Sequence, residues 1–387
     1  MKAINQLKTF RRILVEYPAE TPLGKFLPGF YRQNKQMGST DRRIANRLIY
    51  NYFRLGKAIP DLTPEERLFI AEFLCVAHDN SFLHYFKPHW AADVGLSIIE
   101  KCEIVKSAHP EFQLGDVFPW CDQLSPDIDK DAFLQSFLIQ PDLFIRINKG
   151  HEQQVKNILT SAAISYKDQG NGCLSLPNGT RLEALFPNQH CYEVQDLSSQ
   201  HTARYFKPQK WDNWWDACAA SGGKSLLLHS LEPAIKLVVS DIRESVLANL
   251  DERFRHSEIL KYQKKLIDLT QNPDQVLHDY AFDGIILDAP CSGSGTWGRT
   301  PEMINQFDKY KIDFFQRLQL SIVKNAIKYL KPGKPLIYIT CSVFKAENED
   351  VVNLMIKEYG LKLEEQAILK GYESKADTMF VARLIHA

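Results

Sequence analysis

Apolar positions in the first third of the chain recur at helical spacing. Between Asp41 and Lys57, residues Ile44, Leu48, Ile49, Tyr52 and Leu55 fall near one helix face. Thr63-Pro64-Glu65-Glu66 reads as a helix start, with a capping hydroxyl, a proline in the first turn and a glutamate three residues after the threonine. The apolar run Leu68 to Val76 follows it, and further amphipathic stretches lie around Ala91 to Ala108 and Lys130 to Gln140. Strand signals are few, so a helical bundle is expected over residues 1–140.

The pattern changes near Pro141. Leu143 to Ile147 predicts a strand, His151 to Ser161 a helix, and Ile164-Ser165-Tyr166 the start of another strand. Asn171-Gly172 and Asn178-Gly179 are turn dipeptides. A small α+β unit is expected over 141–205. Beyond it, branched apolar runs at Lys236–Ser240, Gly284–Leu287 and Pro335–Ile339 alternate with helical patterns. One such helix carries apolar residues from 314 to 330 and closes at Lys331-Pro332-Gly333. Strand–helix alternation implies an α/β domain over 206–387, with a mostly parallel sheet covered by helices on both faces. In such sheets ligands bind at the carboxyl ends of the strands, which directs attention to the residues just after each apolar run.

At 387 residues, 44% hydrophobic and 24% charged, the chain suits a globular protein of two or three units with a substantial core. No apolar stretch approaches the length of a membrane span. The start, Met1 to Tyr17, lacks a signal-peptide core and cleavage site, so a cytoplasmic location is the default expectation. The eight cysteines form no C-x-x-C pair, which speaks against a zinc site, and no metal is expected. A disulfide framework is also not expected, and most of the thiols should be buried and free.

Charge is balanced overall but unevenly placed. Residues 1–60 carry 12 Lys and Arg against 3 Asp and Glu, whereas 61–145 carry 5 against 15. A basic face for nucleic-acid phosphates is one reading, and two solvated helical faces that pair with each other is the other.

Trp214-Trp215 leads into Asp216-Ala217-Cys218-Ala219-Ala220-Ser221-Gly222-Gly223-Lys224-Ser225. Small residues and two glycines after a short strand permit a tight turn and close approach of a ligand to the backbone. Gly223-Lys224-Ser225 matches the end of a phosphate-binding P-loop, but Cys218 stands where that motif needs glycine. Asp241 follows Leu237-Val238-Val239-Ser240 and could accept both ribose hydroxyls of a nucleoside. Asp268, after Lys265-Leu266-Ile267, is a candidate for the adenine edge. Either aspartate alone reads equally as a turn residue. A nicotinamide enzyme stays open at this point, although the G-x-G-x-x-G spacing is absent.

Two cysteines lie at predicted strand ends: Cys291 in Asp288-Ala289-Pro290-Cys291-Ser292-Gly293-Ser294-Gly295, and Cys341 in Thr340-Cys341-Ser342. Two buried structural thiols are the plain reading. A chemistry that uses the arrangement is methylation at carbon 5 of a pyrimidine, a carbon too weakly nucleophilic to take a methyl group unaided. A thiolate adding at carbon 6 makes carbon 5 enamine-like and reactive. An acid must then serve N3, and Asp288 is the candidate if burial keeps it protonated. The carbon-5 proton must finally leave and the thiol be eliminated, a step for which a second cysteine is a suitable base.

These two cysteine motifs, with the Ala-Ser-Gly-Gly-Lys loop, resemble the RsmB/Fmu (Sun)/NSUN family of S-adenosylmethionine-dependent RNA 5-methylcytosine methyltransferases. Arg146-Ile147-Asn148, Val194 through Gln200, and Glu347-Asn348-Glu349 are similar as well, so the likeness covers about residues 140–387. The resemblance implies a Rossmann-like class I methyltransferase domain preceded by a ferredoxin-like pre-catalytic unit. It implies Cys341 as nucleophile, Cys291 as the residue of product release, Asp288 at the cytosine and Lys224 at the target-base pocket. Cofactor contacts would come from Cys218, Ala219, Ala220, Ser221, Gly222, Gly223 and Lys224, with Asp241, Asp268 and Asp288. The helical front is similar in character to a NusB-like RNA-binding domain.

There are departures. Ser221 stands where the family usually has proline, Gly298-Arg299-Thr300-Pro301 keeps one of two usual arginines, and Ala376-Asp377-Thr378-Met379-Phe380 replaces an Asp-Gly-Phe-Phe pattern. The expected function is cytosine-C5 methylation of RNA, ribosomal before transfer RNA, by a monomer. Basic residues of 1–60, with Arg146, Lys149, Arg204 and Lys207, are candidates for phosphate contacts. The alternatives are a non-catalytic RNA-binding or ribosome-assembly factor of the same fold, and a DNA cytosine methyltransferase. The first would need no thiol at either strand end, and the second would use a Pro-Cys nucleophile.

Overall fold

The computed structural model describes residues 2–186 and 189–386. They divide into two compact units. The first comprises Met1–Asp122, Asp129–Gln140 and Thr296–Lys309, and the second Gln123–Ile128, Pro141–Gly295 and Tyr310–Ala387.

The first unit is helical. Its longer helices are Lys2–Glu16, Leu23–Gln33, Ser39–Arg54, Pro64–Cys75 and Ile98–Ala108. Side-chain caps set several starts. The Thr63 hydroxyl accepts the Glu66 N–H, and Ser97 with Glu100 forms a reciprocal capping box that begins the helix well after Ala91. Arg54 is fully buried and donates to the Phe137 carbonyl at 2.9 Å and to Gln140 at 3.0 Å. Thr296–Lys309, which lies by sequence inside the 206–387 stretch, packs into this unit. Trp297 and Phe307 join an aromatic cluster with Phe118 and Trp120, and the buried Glu302 accepts the Leu23 N–H at 3.0 Å.

The second unit holds two sheets. Strands β1 (Leu143–Ile147), β2 (Lys167–Gly170), β3 (Cys173–Leu176) and β4 (Tyr192–Val194) pair antiparallel in the order β2-β3-β1-β4. With the helix Glu152–Ser161 between β1 and β2 and a single turn at Leu182–Leu185, this is the β-α-β-β-α-β arrangement. Its core is small and apolar, built on Ile145, Val155, Leu159, Leu174 and Tyr192.

The larger sheet contains β5 (Asn213–Asp216), β6 (Lys236–Asp241), β7 (Gln263–Leu266), β8 (Gly284–Asp288), β9 (Pro335–Thr340), β10 (Lys362–Leu369) and β11 (Met379–Ile385). Their order is β10-β11-β9-β8-β5-β6-β7. Strands β7, β6, β5, β8 and β9 run parallel, and β11 is antiparallel to both neighbours. This is a Rossmann-like sheet. The parallel strands are apolar runs because helices cover both faces. Every residue of β9 is buried, and residues 284–287 of β8 are buried too. By contrast β10 alternates half-buried and exposed positions over its first six residues, as an edge strand does. The sheet registers bring Asp216, Asp241, Asp288 and Thr340 to the same carboxyl edge.

Candidate active site

At the end of β5 the chain turns through two left-handed residues, Ala220 (φ 46°) and Gly222 (φ 83°), before the helix Gly223–Leu231. A side chain at Gly222 would lie 2.6 Å from the Phe254 ring, so both its dihedral and its surroundings require glycine. Ala219 N–H donates to the Ser240 carbonyl, which fixes this loop to the end of β6. Ala220 N–H donates to Asp241 Oδ2 at 3.0 Å.

Asp241 is buried and also accepts from the Arg243 backbone and guanidinium at 2.9–3.2 Å. Burial pushes its carboxyl up, but these Arg243 and Ala220 donors outweigh it and hold the group below its usual range. The Arg243 side chain is mostly exposed, so its ion pair can yield to another donor at the same carboxylate. Asp268 sits one strand further along the edge, and its Oδ1 accepts from the backbone and hydroxyl of Thr270 at 2.9 and 2.7 Å. That leaves Oδ2 as the atom not engaged in this turn. A glycine-bounded loop with carboxylates at consecutive strand ends has the donor set for a nucleoside, and the residues fit S-adenosyl-L-methionine.

Cys218 lies within the loop, between Asp216 and Ala220. Burial, with the charges of Asp216, Asp241 and Asp288, pushes its thiol far above the usual range.

Lys224 lies in the first turn after the loop and is buried. Its Nζ donates to Asp288 Oδ2 at 2.9 Å and to Ser199 Oγ at 3.0 Å. Asp288 is only partly buried and forms an ion pair with Lys224. Gln195 supports the same group. Its Nε2 donates to Ser199 Oγ at 3.2 Å and to the Gly223 carbonyl at 3.3 Å.

The two motif cysteines meet. Cys291 Sγ lies 3.3 Å from Cys341 Sγ. Their hydrogen bond first, and then burial, push the Cys291 thiol well above its ordinary range. Both loops are held by Glu347, which is fully buried. It accepts from Ser292 N at 2.8 Å, Ser342 Oγ at 2.8 Å and Gln319 Nε2 at 3.1 Å. Gly295 completes the closure, donating to the Cys341 carbonyl at 2.8 Å and accepting from Thr378 N at 2.9 Å. A Cβ on Gly295 would lie 2.0 Å from the Thr378 oxygen. This contact is made through backbone atoms, which lets the 376–380 stretch differ in side chains from its expected pattern.

Ser199, Gln195 and Glu347 were quoted above only as parts of similar stretches, and their joint position is a product of the fold. Arg253 gave no sequence signal at all. It donates to both the carbonyl and the hydroxyl of Ser221, at 3.1 and 3.0 Å, and to Glu193 at 2.7 Å. Among the described residues no three metal-ligating side chains converge, and no helix is long and apolar enough to cross a membrane.

Residues 203–385 match the family described as 16S rRNA methyltransferase RsmB/F. The curated ribosomal RNA small subunit methyltransferase B of Shewanella oneidensis is 37% identical over 167 residues, 42% of this chain and 38% of that protein. The chain thus spans well under half the length of that relative. Among solved structures, PH0851 superposes with a TM-score of 0.70 at 18% identity, covering 92% of each chain. NSun6 from Pyrococcus horikoshii, solved with SFG, gives 0.60 at 18% identity over 69% of this chain and 97% of its own. At such identities these two speak to the fold alone. The stretch 203–385, which carries the glycine loop, both cysteines and the Lys224–Asp288 pair, is thus similar to the RsmB/F methyltransferase family.

Proposed function

We propose that this protein forms 5-methylcytosine in RNA, small-subunit ribosomal RNA in the first place, using S-adenosyl-L-methionine. The observation that carries the reading is the pair of sulfurs at the ends of β8 and β9, with the Lys224–Asp288 ion pair on the same edge. The names of the family and of the curated relative point to ribosomal RNA.

The bound cofactor would supply an electrophilic methyl group. The chain supplies the rest. Cys341 as thiolate adds to carbon 6 of an unstacked cytosine, forming the S–C6 bond and moving electron density to carbon 5. Asp288, relayed a proton by the Lys224 ammonium that it pairs with, protonates N3 as the S–C6 bond forms. After carbon 5 has taken the methyl group, Cys291, its own thiol proton given up to solvent, takes the carbon-5 proton; the freed electron pair forms the C5–C6 double bond, the S–C6 bond breaks to restore the Cys341 thiolate, and N3 returns its proton to Asp288. Gly222, Gly223 and the Ala220 amide shape the cofactor loop, Asp241 receives the ribose and Asp268 the adenine edge. A non-catalytic factor of the same fold would not need two thiols in contact.

The test is transfer of a labelled methyl group to ribosomal RNA lacking the modification, with bisulfite sequencing to locate the product. Cys341→Ser is expected to abolish transfer while cofactor binding, followed by calorimetry, stays near wild type. Turnover near wild type in that variant would overturn the assignment.

A further inference from the structure

Arg146, on β1, is 8% exposed, and its Nε donates to Gln195 Oε1 at 3.1 Å. Its two terminal nitrogens have no hydrogen-bond partner among the described residues. The acid opposite it in the ladder, Glu193, is already occupied by Arg253 and Ser257. Those nitrogens are not sealed from solvent, so the guanidinium presents open donors to the space beside it, where an anion can complete them. Arg146 lines two adjoining clefts of about 440 and 670 Å³, which share Arg146, Lys149 and Ser230. Lys149 and Arg204, both exposed, flank the space. The acids lining it are Glu152 and Glu258.

Two observations argue for a nucleic-acid strand rather than a small anion. The clefts adjoin each other, with imidazoles from His190, His229 and His256 along the wall of one, so polar ring surfaces extend beyond a single site. The track is also linked to the candidate active site by hydrogen bonds. Arg146 connects through Gln195 and Ser199 to Lys224, and Ser230 lies six residues, about 9 Å, along the helix that begins beside Lys224. Lys207 does not share in this, since it pairs with Glu364 and Glu365.

We propose that Arg146, Lys149 and Arg204 form a phosphodiester track for the single-stranded RNA that adjoins the target cytosine. The proposal rests on the RNA reading above and names where that RNA runs. Each phosphate neutralised on a single strand contributes about 0.7 to the slope of log affinity against log salt. For the full chain and a fluorescein-labelled single-stranded oligoribonucleotide, Lys149→Gln with Arg204→Gln is expected to lower that slope by about 1.4. At about 0.1 M salt this corresponds to roughly 25-fold weaker binding. Lys207→Gln is expected to change neither quantity, and cofactor affinity should be unaltered in all three proteins. Wild-type slope and affinity in the double variant would overturn the track while leaving the RNA reading standing. Failure of the wild-type protein to bind the oligonucleotide would overturn the RNA reading and the track together.

Discussion

The sulfurs of Cys291 and Cys341 lie 3.3 Å apart although 50 residues separate them in sequence. Adjacent parallel strands carry both to one edge, and Glu347 ties the two loops together. The hydrogen bond to Cys341 is the largest cause holding the Cys291 thiol protonated. In the proposed cycle Cys341 is consumed in a bond to carbon 6, and Cys291, its own thiol proton given up to solvent, is the group left beside that bond to take the carbon-5 proton. Cys291→Ala should therefore trap the adduct. We expect a protein–RNA species that survives denaturing electrophoresis, and its absence with RNA that the wild type methylates would refute the release role.

Glu347 sets the spacing of the cysteine loops through hydrogen bonds to both. Glu347→Gln keeps size but turns one accepting oxygen into a donor, so either Ser342 or Ser292 loses its acceptor. We expect kcat to fall about 100-fold, the scale of a misplaced reacting group, with cofactor affinity unchanged by calorimetry. A kcat near wild type would show that other contacts hold the loops.

Asp216 is fully buried and accepts from Ser225 Oγ at 2.6 Å, but its Oδ1 has no partner among the described residues. Burial, aided by the Asp288 charge, pushes its carboxyl up to about 7 from an ordinary 3.8, against the Ser225 bond. The folded state thus holds a proton that the unfolded state releases between these values. The stability this provides is complete below about pH 4 and is lost as pH rises through 7, by at most about 4 kcal/mol. Asp216→Asn should remove that loss. The melting temperature of the variant relative to wild type is expected to rise from pH 5 to pH 8, and a constant difference would contradict the account.

Arg253 holds the cofactor loop at Ser221, the position where relatives of this type usually carry proline. Arg253→Ala should weaken cofactor binding by about 1–2 kcal/mol, the scale of a partly exposed charged hydrogen bond. Adding Ser221→Pro should recover much of this, because the ring restricts the loop that the guanidinium had restrained. The Ser221 N–H makes no backbone hydrogen bond that the ring would remove. Equal losses in the presence and absence of the proline would argue that Arg253 acts elsewhere.

The chain by itself determined the elements and the edge on which chemistry gathers. Runs such as Ile285-Ile286-Leu287 and Ile337-Tyr338-Ile339 are apolar at every position because both sheet faces are covered, and that is a local signal. Parallel pairing then requires the residues after each run, Asp241, Asp288 and Cys341 among them, to share one edge. Tertiary structure alone decided which of these touch. The sheet order β10-β11-β9-β8-β5-β6-β7 is not the order of the sequence, so nothing local says that Cys291 faces Cys341 or that Lys224 reaches both Asp288 and Ser199. The same holds for Thr296–Lys309, whose tryptophan and glutamate find their partners in the helical unit. Periodicity reports which face of an element is buried, whereas a partner distant in sequence is chosen by packing and by the need to satisfy buried polar groups.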